Sequence, residues 1–144
     1  VTLEVKKVIQ NPVVLVVDDD EMILSYLGVI LNNFGPDVIC CSSAEQAIDV
    51  MQDKRNVIDL LITDIIMPGM DGIALIKDIR SRDKNLPIVA ISSQENKNIL
   101  KPLIEYNVKA FIEKPFSEDA VKKELIKVSK KKQYRNQKKA LQQK

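Results

Sequence analysis

The chain has 144 residues, 45% apolar and 29% charged, the composition of a soluble domain with a core of its own. It contains no histidine, which excludes histidine-based triads, most zinc sites and a phosphohistidine carried by the chain itself. The net charge of +2 conceals a division: residues 122–144 hold ten Lys/Arg and one acid, Glu124, whereas residues 1–121 carry a balance of −7.

No apolar run approaches the roughly 20 residues of a membrane span, and no secretory signal opens the chain. The two cysteines, Cys40 and Cys41, are adjacent and form no disulfide framework, so a cytoplasmic location is the expectation.

Residues 1–12 (VTLEVKKVIQNP) show no clear period and read as a linker or the edge of a longer chain. Val13 to Val17 is a β-branched and Leu run, the composition of a buried parallel strand. Asp18, Asp19 and Asp20 follow, and Asp20 reads as a helix cap. Ile23, Leu27, Ile30, Leu31 and Phe34 recur at helical spacing until Gly35-Pro36 stops the helix. Val38 to Cys41 is a short second strand, and Ser43 caps a helix running to Asp53 with Ala44, Ala47, Ile48 and Met51 inward.

A third strand is predicted over Ile58 to Thr63, ending against Asp64, and the turn MPGMDG leads into a helix over Asp71 to Arg82. Leu86-Pro87 opens a fourth strand, Ile88 to Ile91, which ends in Ser92 and Ser93. Pro102 is tolerated only in a first turn, so the fourth helix should be short, starting near 98–101 and ending at Asn107. Ala110 to Glu113 is the fifth strand, Lys114-Pro115-Phe116 follows it, and Ser117 caps a last helix with Val121, Leu125 and Val128 inward.

Strands alternating with helices in this way call for an α/β fold, a parallel sheet with helices on both faces. For five such units the natural order is 2-1-3-4-5, the flavodoxin-like doubly wound arrangement. Its carboxyl edge would collect Asp18, Asp19, Asp64, Ser92 and Lys114. Crowded carboxylates repel one another unless a cation joins them, and a hard divalent ion, Mg²⁺ with Mn²⁺ as a substitute, suits oxygen donors. A hydroxyl and an ammonium beside them supply partners for phosphoryl oxygens, so the set has the makeup of a phosphoryl-transfer site.

VVLVVDDDE, LLITDIIMPGMDG, PIVAISS and AFIEKPF together resemble the receiver domain of two-component response regulators, over about residues 13–128. The resemblance implies that Asp64 is the phosphoacceptor. Asp18 and Asp19 would hold Mg²⁺ together with Asp64 and the backbone carbonyl of Ile66. Ser92 would stand where a Thr or Ser turns toward the phosphoryl group. Lys114 would neutralise its charge, with Pro115 after it commonly in a cis bond. Phe111 would be the switch aromatic. The phosphoryl group would come from a histidine kinase or a histidine phosphotransfer protein, and the signal would pass to an output domain or effector. Such a chain is a phosphoacceptor signalling domain, catalysing only its own Mg-dependent phosphorylation and dephosphorylation. Ile66 and Gln94 fall where the family tunes dephosphorylation.

Residues 129–144 read as a basic extension leading to an output domain, or as an arm contacting nucleic acid, though interleaved aromatics are lacking. A haloacid-dehalogenase-like phosphatase is the alternative, with Asp18 as nucleophile and Asp20 as acid/base. It would need an acidic pair on a strand after the lysine, and only Glu118 and Asp119 at a helix start follow.

Overall fold

A computed structural model of the chain describes residues 12–93, 100–108 and 110–127. The amino-terminal linker, Gln94 and its neighbours, Val128 and the basic extension lie outside the described residues. The strands are β1 (Val13–Val17), β2 (Asp37–Cys41), β3 (Leu60–Asp64), β4 (Ile88–Ser93) and β5 (Ala110–Lys114). The helices are α1 (Glu21–Phe34), α2 (Ala44–Gln52), α3 (Gly72–Arg82), α4 (Leu100–Glu105) and α5 (118–127). All strand pairs are parallel, in the order β2-β1-β3-β4-β5. None of the described helices is long and apolar enough to cross a membrane.

Because successive strand residues face opposite sides, the apolar runs feed two cores at once. Leu15, Val17, Leu61, Ile88 and Ala90 join Ala44, Ala47, Leu75, Ile76, Ile79, Leu103 and Val108 from α2, α3 and the α4 region. Val14, Val16, Leu60, Ile62, Val89, Ile91 and Ile112 meet α1 through Leu24, Leu27, Ile30 and Leu31, and α5 through Val121 and Leu125. The expected stripe of α1 is therefore rotated. Leu24 is buried, Ile23 only packs against the cluster, and Phe34 is 41% exposed at the helix end.

Side chains that hydrogen-bond the first-turn amides set the helix starts. Asp20 accepts from the Met22 amide, Ser43 from Gln46 and Asp71 from Ala74. Asp71, assigned to the helix from sequence, is thus its cap. β3 starts at Leu60 rather than Ile58, with the Asp59 carboxylate taken by the Val13 amide at 2.8 Å. α4 ends two residues earlier than expected, at Glu105. Asn107 takes a left-handed φ of 61°, and the Val108 amide returns to the Leu103 carbonyl, a turn that satisfies the last helical carbonyls.

Candidate functional site

Parallel register brings the sheet's carboxyl ends level. Val17 pairs with Thr63 and Asp64 with Ile91, so Asp18 and Asp64 emerge side by side from β1 and β3. Across β4, Ser92 pairs with Glu113 and Ser93 with Lys114, which places the lysine at the same edge. The acids, the serine and the lysine foreseen from sequence thus share the carboxyl edge of the sheet. Asp20 does not join them, because its carboxylate caps α1. That leaves it out of the acid/base position the phosphatase alternative needs.

Asp18 is fully buried, Asp64 is 7% exposed and Ser92 4% exposed. Carboxylate oxygens of Asp18, Asp19 and Asp64 lie within 4.8 Å of one another. The Lys114 ammonium reaches between two of these acids, 3.0 Å from Asp18 Oδ2 and 3.1 Å from Asp64 Oδ2. Only the Asp64 contact is aligned as a hydrogen bond. Asp18 Oδ1 accepts from the Asp20 amide at 2.9 Å, whereas Asp18 Oδ2 is buried with no hydrogen-bond partner.

The charges follow from this crowding. Burial pushes the Asp18 carboxyl above the ordinary 3.8, and the Asp64 charge adds to the rise, while the Asp20 amide and Lys114 oppose it. Burial alone would lower the Lys114 ammonium, but the two carboxylates outweigh it and hold it above the usual lysine value. Three acids against one ammonium leave an excess of negative charge. With a buried Asp18 oxygen that has an ion pair to Lys114 but no aligned hydrogen bond, and an all-oxygen donor set, these residues fit a hard divalent cation.

The turn after β3 is held by backbone contacts. The Ile66 amide points to Asp64 Oδ1 at 3.3 Å, and the Thr63 hydroxyl donates to the Asp64 carbonyl at 2.9 Å. The Gly72 amide donates to the Ile65 carbonyl at 2.8 Å. A Cβ built on Gly72 would lie 2.0 Å from the Asp64 carbonyl oxygen, so only glycine lets α3 begin there. Sequence reasoning gave Gly72 only a structural place in the MPGMDG turn and passed over Thr63. A glycine directly after the Asp71 cap, where a better helix former was free to stand, was the available signal.

Glu45, at the start of α2, reaches the Met70 amide at 3.3 Å. The Lys114–Pro115 bond is cis, as the resemblance implied. Phe111 is half-buried on β5 opposite the fully buried Ala90, packing against the α2–α3 core. Ile66 is 47% exposed beside the acceptor turn. Cys40 and Cys41 lie on β2, and burial raises both thiols, which argues against an activated thiolate.

A doubly wound sheet with an acid cluster and a lysine at its carboxyl edge belongs to the class of open α/β domains that bind ligands at that edge. Within that class, the family model described as "Response regulator receiver domain" matches residues 14–126, and the chain belongs to that family. It is similar to the two-component response regulator ARR2 of Arabidopsis thaliana, 30% identical over 76% of this chain and 16% of that protein. It is also similar to the alkaline phosphatase synthesis transcriptional regulatory protein PhoP of Bacillus subtilis, 31% identical over 74% of this chain and 44% of that protein. The chain thus spans less than half the length of these relatives. The chemotaxis response regulator CheY4 of Vibrio cholerae superposes with a TM-score of 0.75 at 26% identity, covering 83% of this chain and 99% of that one. NtrX of Brucella abortus does so with a TM-score of 0.83 at 27% identity, over 92% of this chain and 30% of that one.

Proposed function

We propose that this receiver accepts a phosphoryl group on Asp64 and reports it by a change of surface. The observation that carries the reading is the Lys114 ammonium set between Asp18 and Asp64, with Asp19 completing an acid cluster within 4.8 Å. Asp18, Asp19, Asp64 and the backbone carbonyl of Ile66 are the groups that would hold Mg²⁺ or Mn²⁺. The bound ion would supply charge neutralisation for the acids and for the incoming phosphoryl oxygens.

Asp64 has one carboxylate oxygen on Lys114 and offers the other to the donor. Its attack on phosphorus forms a P–O bond as the P–N bond of the donor's phosphohistidine breaks. The imidazole nitrogen leaves with the bonding pair and takes up a proton. Lys114 stays beside the new acyl phosphate and offsets its charge, and Ser92, two strands from β1, donates its hydroxyl to a phosphoryl oxygen. Phe111 then packs inward as Ser92 moves, resetting the surface of α4, β5 and α5. Water later cleaves the acyl phosphate.

The donor is a histidine kinase or a histidine phosphotransfer protein, since this chain has no histidine. Residues 13–128 form the receiver, residues 1–12 a linker, and residues 129–144 a basic extension toward an output domain or effector in the cytoplasm. Incubation with acetyl phosphate and Mg²⁺ tests the reading. A gain of one phosphoryl group, abolished by EDTA and by Asp64→Ala, supports it. Uptake that persists in Asp64→Ala sinks it.

A further inference from the structure

α3 touches the acceptor turn at one end and the α4–β5 corner at the other. At its start, Gly72 lies against the backbone of Asp64 and Ile65. Eight residues on, the Arg80 Nε donates to the Tyr106 carbonyl at 2.6 Å, and its Nη1 donates to the Asp83 carbonyl at 3.1 Å. Between these ends Leu75, Ile76 and Ile79 are buried against the sheet, so the helix is seated along its length.

The Arg80 contact falls on a corner whose other anchors are apolar: Leu103 and Val108 are buried in the α2–α3 core, and Tyr106 packs against it. Of residues 101–105 in α4 only Leu103 is buried, while Lys101, Pro102, Ile104 and Glu105 are exposed. The chain then turns through Asn107 at φ 61° to the buried Val108 and enters β5 two residues later. Among the described residues, the amides of Tyr106, Asn107 and Val108 bond back to Leu103 and Ile104 within the same turn. Lys77, one helical turn before Arg80, places its ammonium 5.8 Å from the Tyr106 ring centre. Arg80 is half-buried, and burial lowers its guanidinium below the ordinary arginine value, with the Asp83 charge opposing. A half-buried guanidinium is retained where its fork is used, and here both of its acceptors are backbone carbonyls.

We propose that Arg80 is a positioning residue that pins the α4–β5 corner to α3, so that α3 forms a strut between the acceptor turn and the surface that carries the signal. The signalling half of this inference rests on the receiver reading above. The structural half, the pin itself, does not. The strut follows the connection from β3 to β4 and acts through backbone contacts at Gly72 and Tyr106, not through the side chains of Ser92 and Lys114. Losing the pin frees the corner in the resting protein and uncouples it from Asp64.

The test uses the full chain, labelled for amide exchange and chemical shifts, with beryllofluoride and Mg²⁺ as a stable mimic of the acyl phosphate. Arg80→Met keeps the apolar stem and removes the donors. It is expected to speed exchange at Tyr106, Asn107 and Val108 by roughly tenfold while Ile76 in mid-helix is unchanged. The shift changes that the mimic induces at 103–108 should fall by about half or more, with those at Asp64 and Ile65 kept. Arg80→Lys, which can reach one carbonyl but not fork to two, should lie between wild type and Arg80→Met. Wild-type exchange at the corner in both variants overturns the proposal, as does an undiminished response there in Arg80→Met. A wild-type protein that ignores the mimic would count against the receiver reading and leave the exchange result standing.

Discussion

Two glycines of the chain make opposite predictions for the same substitution. A methyl group on Gly72 would lie 2.0 Å from the Asp64 carbonyl oxygen, 2.7 Å from Ile65 Cα and 2.9 Å from the Asp64 carbonyl carbon. These are backbone atoms at the end of a fully buried strand, so no side chain can swing aside. Alanine recovers at most about 1 kcal/mol of helix propensity over glycine. Overpacking against fixed neighbours costs about 3 kcal/mol at the upper end, which leaves Gly72→Ala about 2 kcal/mol less stable. For a domain of this size that is a fall in Tm of roughly 8 °C. The forced shift of the Asp64 carbonyl also misplaces the acceptor, and a displacement of about 1 Å can cost about 100-fold in rate. At Gly28, inside α1, a Cβ meets nothing within 4 Å, so Gly28→Ala should gain about 1 kcal/mol with uptake unchanged. Urea titrations of both variants, read at a common m-value, and phosphoryl uptake from a small donor measure these effects. Gly72→Ala as stable as wild type would refute the close-approach argument.

Asp18→Asn should stabilise the protein. An acid whose folded pKa is raised binds its proton more tightly when folded, so native stability falls as pH climbs from the ordinary 3.8 through the raised value and stays lower at neutral pH. The amide keeps the acceptor for the Asp20 amide and removes that charge. The gain is expected to be on the order of 1 kcal/mol at pH 7 and to vanish near pH 3, as thermal melts across pH would show. Mg²⁺ should raise the melting temperature reversibly, by about 2.7 kcal/mol of stability at a hundredfold excess over its Kd, and Asp19→Asn should lose most of that gain. Asp20→Ala should cost about 1 kcal/mol through the lost cap of α1, and phosphoryl uptake that collapses in this variant at unchanged stability would return Asp20 to the site.

How far the sequence could be read depended on how local each cause was. Asp18, Asp64, Ser92 and Lys114 stand where apolar runs end, and in a parallel sheet the end of each run is the same edge, so their meeting there was legible before the structure. The caps Asp20 and Ser43 were legible for the same reason, since the hydroxyl or carboxylate and the amide it accepts are two or three residues apart. The face of α1 was not. Ile23 and Leu24 both suit a core, and only the seating of the helix on β1 and β3 chooses Leu24. α4 was misjudged at its end because Asn107 turns left-handed to bring Val108 into the core, a demand made by β5 rather than by the helix. Gly72 and Arg80 were invisible as contacts because their partners, Asp64 and Tyr106, are set by the fold.

The central claim is that Asp64 carries the phosphoryl group. Phosphorylating the full chain with acetyl phosphate and Mg²⁺, reducing the acyl phosphate with borohydride and sequencing the peptides by mass spectrometry locates it, because the reduced residue becomes homoserine. Homoserine at position 64, with Asp18 and Asp19 intact, is the predicted result. Homoserine at position 18 would contradict the account and return the chain to the phosphatase chemistry set aside above.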